Sequence, residues 1–186
     1  MAILKIIQPN NPTLREKAEP VTTFDEEFQT LVDDMIETMR AAHGVGLAAP
    51  QVERSLRVAV IETLPEVDDE GEELETTRDL YVIVNPEIIW ESAEMEDGIE
   101  GCLSIPGWLG EVSRHQSVLV RALDRHGNKI RLRMHDWDAR IFQHEIDHLD
   151  GVLYIDRLTD PDNFWTEEEF QEQFGATAEE TEDAMT

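Results

Sequence analysis

The run His144-Glu145-Ile146-Asp147-His148 constrains this chain more than any other part of it. Two histidines four residues apart share a face when the backbone is helical, one turn separating them. From that face both imidazoles can reach one metal ion. Glu145, beside the first of them, can then hydrogen-bond a metal-bound water without ligating the metal. Chance would place this pattern in such a chain only about 0.03 times. The flanks agree: Asp136 can cap a helix that continues through Trp137, Ile141 and Leu149 and stops at Gly151. A catalytic metal on two helix histidines needs a third protein ligand and one open position. Downstream of His148 there is no further histidine, only carboxylates such as Asp156 or Glu167 to Glu169. The better candidate lies upstream, in Glu100-Gly101-Cys102-Leu103-Ser104, which holds the chain's single cysteine.

The remaining composition narrows the setting. With 186 residues, 40% of them hydrophobic, the chain can bury the core of one domain. Its 15 Lys+Arg against 42 Asp+Glu give a net charge of −27. That balance argues against a nucleic-acid partner and against docking on anionic lipid. One cysteine leaves no intrachain disulfide. No apolar run approaches the roughly 20 residues of a membrane span, and the opening Met1 to Pro9 lacks the pattern of a signal peptide. The expectation is a cytoplasmic protein.

Along the chain, Thr23 with Glu26 reads as a capping box opening a helix. Phe28, Leu31, Val32, Met35, Ile36 and Met39 recur at helical spacing up to His43-Gly44. Arg57 to Ile61, Leu80 to Val84 and Ile88 to Trp90 read as strands. Ser117 to Leu123 and Lys129 to Met134 read as a hairpin around a Gly-Asn turn. Glu62 to Asp79 carries nine acidic residues and one basic one, Arg78, and reads as a solvated, mobile loop; it lacks the ligand alternation of a calcium loop. Thr166 to Thr186 holds eight acidic residues and no Lys or Arg. The spacing therefore predicts an α+β domain over 1–165. Several short, mostly antiparallel strands pack around a central metal-binding helix, with an N-terminal helix. Residues 166–186 form an acidic tail, a frayed helix followed by disorder.

A third motif, Gly44-Val45-Gly46-Leu47-Ala48-Ala49-Pro50-Gln51, follows the first helix. Two glycines and small residues let a backbone run close to a ligand. In order, these three motifs resemble the peptide deformylases, metallohydrolases that remove the N-formyl group from new polypeptides. Their pattern is G-x-G-x-A-A-x-Q, then E-G-C-x-S, then H-E-x-x-H. Pro12-Thr13-Leu14-Arg15, Ala139 to Gln143 and Leu149 to Leu153 extend the likeness, which runs from about residue 3 to about residue 158.

The resemblance implies that Cys102, His144 and His148 bind one divalent metal, Fe²⁺ in cells, with Zn²⁺, Ni²⁺ or Co²⁺ acceptable. It implies Glu145 as proton acceptor and donor, and the Gln51 amide and Leu103 N–H as donors to the oxygen that becomes negative. An extended N-formylmethionyl peptide would pair as an added strand with Gly44, Val45 and Gly46 on one side and Gly98, Glu100 and Gly101 on the other. Trp137 and Ile141 are candidates for the methionine pocket. Many relatives carry an arginine some seven residues after the cysteine; here Leu109 stands there, beside Trp108, giving an apolar rim. The acidic tail cannot dock on ribosomal RNA as a basic C-terminal helix would, so ribosome contact is expected to be transient. The alternatives are a zincin-like metallopeptidase with a carboxylate third ligand, or a catalytically inactive metal- or peptide-binding protein.

Overall fold

The computed structural model describes residues 2–67, 73–74 and 77–175. Among these residues ten strands and three α-helices form a mixed α+β fold, and the paired strands are all antiparallel. Helix α1 spans Glu26–Ala41, α2 spans Asp136–Leu149 and α3 spans Glu167–Phe170. The strands are β1 (Gly46–Ala48), β2 (Val58–Glu62), β3 (Glu66–Val67), β4 (Glu73–Leu74), β5 (Leu80–Glu91), β6 (Met95–Cys102), β7 (Ile105–His115), β8 (Ser117–Leu123), β9 (Lys129–His135) and β10 (Phe164–Thr166).

A five-stranded sheet runs β1-β2-β5-β8-β9, and a three-stranded sheet runs β10-β7-β6. Strand β2 shows why the larger sheet is covered on both faces. Its Val58 and Val60 pack with Phe28, Val32, Met35 and Met39 of α1, while Ala59 and Ile61 pack with Phe142, Ile146 and Leu149 of α2. Alternation across a strand sends successive side chains to opposite cores. Helix α2 thus has the larger sheet on its apolar side. Its other side presents Arg140, Gln143, His144 and Asp147, at helical spacing, to the β6–β7 hairpin.

Several local details differ from the sequence reading. Asp25, not Thr23, caps α1, its side chain accepting from Phe28 N–H at 3.0 Å. Asp136 is the first residue of α2 rather than its cap, with φ of 51°, and His135 at the cap offers no side-chain bond. The acidic segment 62–79 is not a plain loop: Glu66–Val67 pairs with Glu73–Leu74, while residues 68–72 and 75–76 lie outside the described residues. The β8–β9 turn forms as expected, with Asp124 accepting from His126 and Asn128 N–H and Gly127 taking a φ of +83°. The helix expected after Thr166 is the four-residue α3; the expected disorder at 176–186 lies outside the described residues. Among the described residues no helix is long and apolar enough to cross a membrane.

Candidate metal centre and peptide cleft

Three elements converge on one point. Helix α2 supplies His144 and His148 one turn apart, their ring centroids 5.0 Å from each other. The end of β6 supplies Cys102, whose Sγ lies 3.2 Å from His148 Nε2. Ligand atoms of Cys102, His144 and His148 all fall within 4.8 Å of one another. The 3₁₀ turn Ala49–Val52 supplies Gln51, which is buried; its Oε1 accepts from Ala48 N–H at 2.8 Å, leaving Nε2 facing Ser104 Oγ at 3.2 Å and Cys102 Sγ at 3.5 Å. Strand β1 passes so close to the helix that a Cβ on Gly46 would fall 2.3 Å from Glu145 Oε1, so any side chain there would have to displace the Glu145 carboxylate.

Electrostatics around the triad are arranged by a buried ionic knot. Glu100 Oε2 accepts from His144 Nδ1 at 2.9 Å, which commits that nitrogen and leaves Nε2 for a ligand's role. The Glu100 carboxylate also takes two bonds from Arg114, each 2.9 Å, and one from Arg140 at 3.0 Å. Arg114 reaches on to Asp147 at 2.5 Å, and Arg157 grips Asp147 with bonds of 2.6 and 2.7 Å. Burial alone would raise the Glu100 pKa, but Arg114 and His144 overcome it and hold the carboxyl well below the usual range. Burial likewise works against a Cys102 thiolate; the two imidazoles outweigh it and bring the thiol well below its ordinary value. Glu145 is the opposite case. Burial pushes it up to about 7 against the pull of His144 and His148, and its Oε2 has no hydrogen-bond partner among the described residues.

The triad opens into a cavity of about 390 Å³. Of the residues singled out from sequence, its wall contains Gly44, Val45, Gly46, Gln51, Glu100, Gly101, Cys102, Leu103, Trp108, Trp137, Ile141, His144, Glu145 and Glu167. Gly98 and Leu109 are off the wall. Gly98 C=O is taken by Arg140 at 3.4 Å, and Leu109 lies in β7 paired with Gly101 and Trp165. Glu100, whose backbone the resemblance assigns to substrate pairing, spends its carboxylate on His144 and two arginines. Among the described residues β6 pairs only with β7, and β1 only with β2, so the end of β6 beyond the carbonyls that Arg140 takes and the outer side of β1 are each open to an added strand. Among the downstream carboxylates weighed as third ligands, Asp156 pairs with Arg15 and the Leu153 N–H. Arg114, Arg140 and Asp147 were not anticipated, although Arg140 sits four residues before His144 on the same helical face.

A family model described as "Polypeptide deformylase" matches residues 3–164. The chain belongs to the peptide deformylase family, the metallohydrolases that remove the N-formyl group from nascent chains. A peptide deformylase of Nostoc sp. is 47% identical over 172 residues, 91% of this chain and 94% of that protein. One from Symbiobacterium thermophilum is 50% identical over 159 residues, 86% of this chain and 68% of the relative. Among solved structures, the peptide deformylase of Legionella pneumophila superposes with a TM-score of 0.75 at 43% identity, covering 87% of this chain and 89% of that one. That of Thermotoga maritima gives 0.76 at 38% identity, covering 86% and 100%.

The donor set fits a resident metal. A thiolate and two imidazoles form a closed half-shell with space on the cavity side, as a catalytic site with one open position requires.

Proposed function

We propose that this chain hydrolyses the N-formyl amide of N-formylmethionyl peptides at the cavity between β1 and β6, with Cys102, His144 and His148 holding one divalent metal. The observation that carries the reading is the convergence of that triad with an unpartnered Glu145 Oε2 and an oriented Gln51 amide. A thiolate and two imidazoles suit Fe²⁺ in cells and also Zn²⁺, Ni²⁺ or Co²⁺. When bound, such a metal supplies Lewis acidity toward water and the formyl oxygen.

The chain's own residues do the rest. Glu145 Oε2, buried and with its carboxyl near 7, takes a proton from the attacking water and delivers it to the departing amine. Gln51 Nε2, locked by the bond from Ala48 N–H to Oε1, donates to the oxygen that becomes negative. The Leu103 N–H is its partner by family likeness, and losing one such donor costs about 3–4 kcal/mol in the barrier. The peptide lies extended between the free edges of β1 and β6, pairing with Gly44 to Gly46 and with Gly101, and its methionine enters the wall of Trp137 and Ile141. The catalytic unit is residues 1–165 with 166–186 as an acidic appendage. It works in the cytoplasm and meets ribosomes transiently: Glu167, Glu168, Glu169 and Glu172 give the described part of the appendage no surface for RNA.

The test is formate release from formyl-Met-Ala-Ser by anaerobically purified, iron-loaded protein beside Glu145→Gln and an unformylated peptide. Release by the wild type alone, with the control peptide intact, is the outcome this reading requires. Cleavage of the control peptide, or silence on both with metal bound, would overturn it.

A further inference from the structure

The cations of this acidic chain are unevenly placed. The β8–β9 hairpin, residues 117–135, carries five of the 15 Lys and Arg and one acid, Asp124. Arg125 is held by α1 through Gln29 and Asp33. Ile130, Leu132 and Met134 of β9 pack into the core that α2 shares. Lys129, Arg131 and Arg133 therefore stand exposed in one row on the opposite face of the sheet. Facing that row on β8 are Leu123, Arg121 and Leu119, and next on β5 are Val84, Glu87 and Trp90. The Arg133 guanidinium lies 5.2 Å over the exposed Trp90 ring. Lys129 and Arg131 have no hydrogen bond or ion pair among the described residues, in a chain with 42 acidic residues to offer. Arg131 instead stands directly opposite Arg121, like charge against like, which costs stability unless an anion comes between them.

Strand β9 is also an edge: among the described residues it pairs only with β8. A charge on an edge strand discourages pairing with an apolar strand. Cations at every second residue go further. A strand laid alongside carries its own side chains at the same repeat, so acidic ones at alternate positions would meet each cation in turn. We propose that the β9 edge is a docking surface for an extended acidic segment of a partner protein. That segment adds a strand to the larger sheet, with Asp or Glu at alternate positions facing Lys129, Arg131 and Arg133. Charge complementarity and the open edge together name this occupant. A phosphate backbone would match the cations but has no use for the free N–H and C=O groups of β9. None of the three cations is on the wall of the metal cavity, so the surface is separate from the site that hydrolyses the substrate.

The experiment titrates isotope-labelled, full-length, zinc-loaded protein with the end-capped peptide Thr-Glu-Thr-Glu-Thr-Glu-Thr and follows amide chemical shifts. The expected result is saturable shifts concentrated in residues 117–135. Lys129→Gln, Arg131→Gln and Arg133→Gln should each weaken binding about 2- to 5-fold at low salt, an effect that fades near about 0.5 M salt. The double variant Lys129→Glu/Arg131→Glu should lose this peptide and gain Thr-Lys-Thr-Lys-Thr-Lys-Thr, a gain that misfolding cannot mimic. Two further peptides, methylated on the glutamate amides or on the threonine amides, keep the charge and block one edge each; at least one of them should fail to bind. Shifts absent from this hairpin overturn the proposal. So does full binding by both methylated peptides, which would leave charge alone, or equal binding by an oligouridylate of the same charge, which would make the partner a nucleic acid. Concentration-dependent broadening of the same amides before peptide is added would give the surface to a second copy of this chain, and would overturn it too.

Discussion

Two sets of ion pairs in this molecule have similar geometry and opposite surroundings. In the knot behind the metal triad, Glu100, Arg114, Arg140 and Asp147 are 4%, 4%, 5% and 8% exposed. On the outer face of the larger sheet, Arg121 meets Glu87 at 2.5 Å, with side chains 54% and 61% exposed. The distances barely differ, but the neighbourhoods do. Water screens the outer pair and replaces either partner when it leaves. No water replaces a partner in the knot, so each of its charges depends on the others. The lesson concerns where a chain with 42 acidic residues keeps the few that shape its site. Glu100 and Asp147 join α2 to the hairpin that carries Cys102, and so set the distance between the thiol and the two imidazoles.

The largest expected effect comes from the one buried carboxylate that lies beside the knot without belonging to it. Glu145 has an unpartnered Oε2, whereas both oxygens of Glu100 are engaged. Glu145→Gln should lower kcat by about 10²- to 10⁴-fold while the metal stays bound and the thermal midpoint is unchanged or higher. Metal content, melting and formate release on one preparation check this. A fall in stability there would mean that Glu145 is held by contacts like those of Glu100, and the contrast would fail.

Glu100→Gln should do the reverse. It leaves Arg114 and Arg140 buried opposite a neutral amide, at a cost of about 3–5 kcal/mol, and frees His144 to turn, weakening metal retention by about 10- to 100-fold. Urea unfolding and competition with a chelator read the two consequences separately. A pH series sharpens the point. The Glu100 carboxyl is held far below its ordinary 4.5 in the folded state, so its stabilisation is complete above about that pH and is lost as pH falls toward the folded value. The gap in stability between wild type and Glu100→Gln should therefore be widest at neutral pH and narrow below about pH 4.5. A gap that stays constant with pH would show that shape, not charge, does the holding.

These contrasts also explain what the sequence revealed. The α2 helix was legible because two histidines four apart can reach one metal ion only from a helical backbone, and the α1 stripe because Phe28, Val32, Met35 and Met39 repeat at 3.6. The β6–β7 hairpin was not legible. Met95-Glu96-Asp97-Gly98-Ile99-Glu100-Gly101-Cys102 holds three carboxylates and two glycines, poor material for a strand by local preference. It becomes one because Arg140 binds the carbonyls of Glu96 and Val112 and the carboxylate of Glu100, a long-range reward invisible to local patterning. The same holds for Arg114 and Asp147, since a charged residue in sequence is read by default as a solvated one. The three motifs showed which atoms meet, and their supports are found only in the packed structure.

The smallest expected effect belongs to the outer pair. Arg121 bonds Glu87 but also stands directly opposite Arg131 across β8 and β9, so its removal deletes one attraction and one like-charge contact together. Arg121→Gln should change stability by less than about 0.5 kcal/mol in either direction, and that change should vanish near about 0.5 M salt. The deficit of Glu100→Gln should persist at the same salt, because ions cannot enter the space between Arg114, Arg140 and α2. Urea midpoints of both variants at two salt concentrations decide it. If Arg121→Gln cost as much as Glu100→Gln, or if salt erased both deficits alike, burial would not be what separates the two sets of pairs.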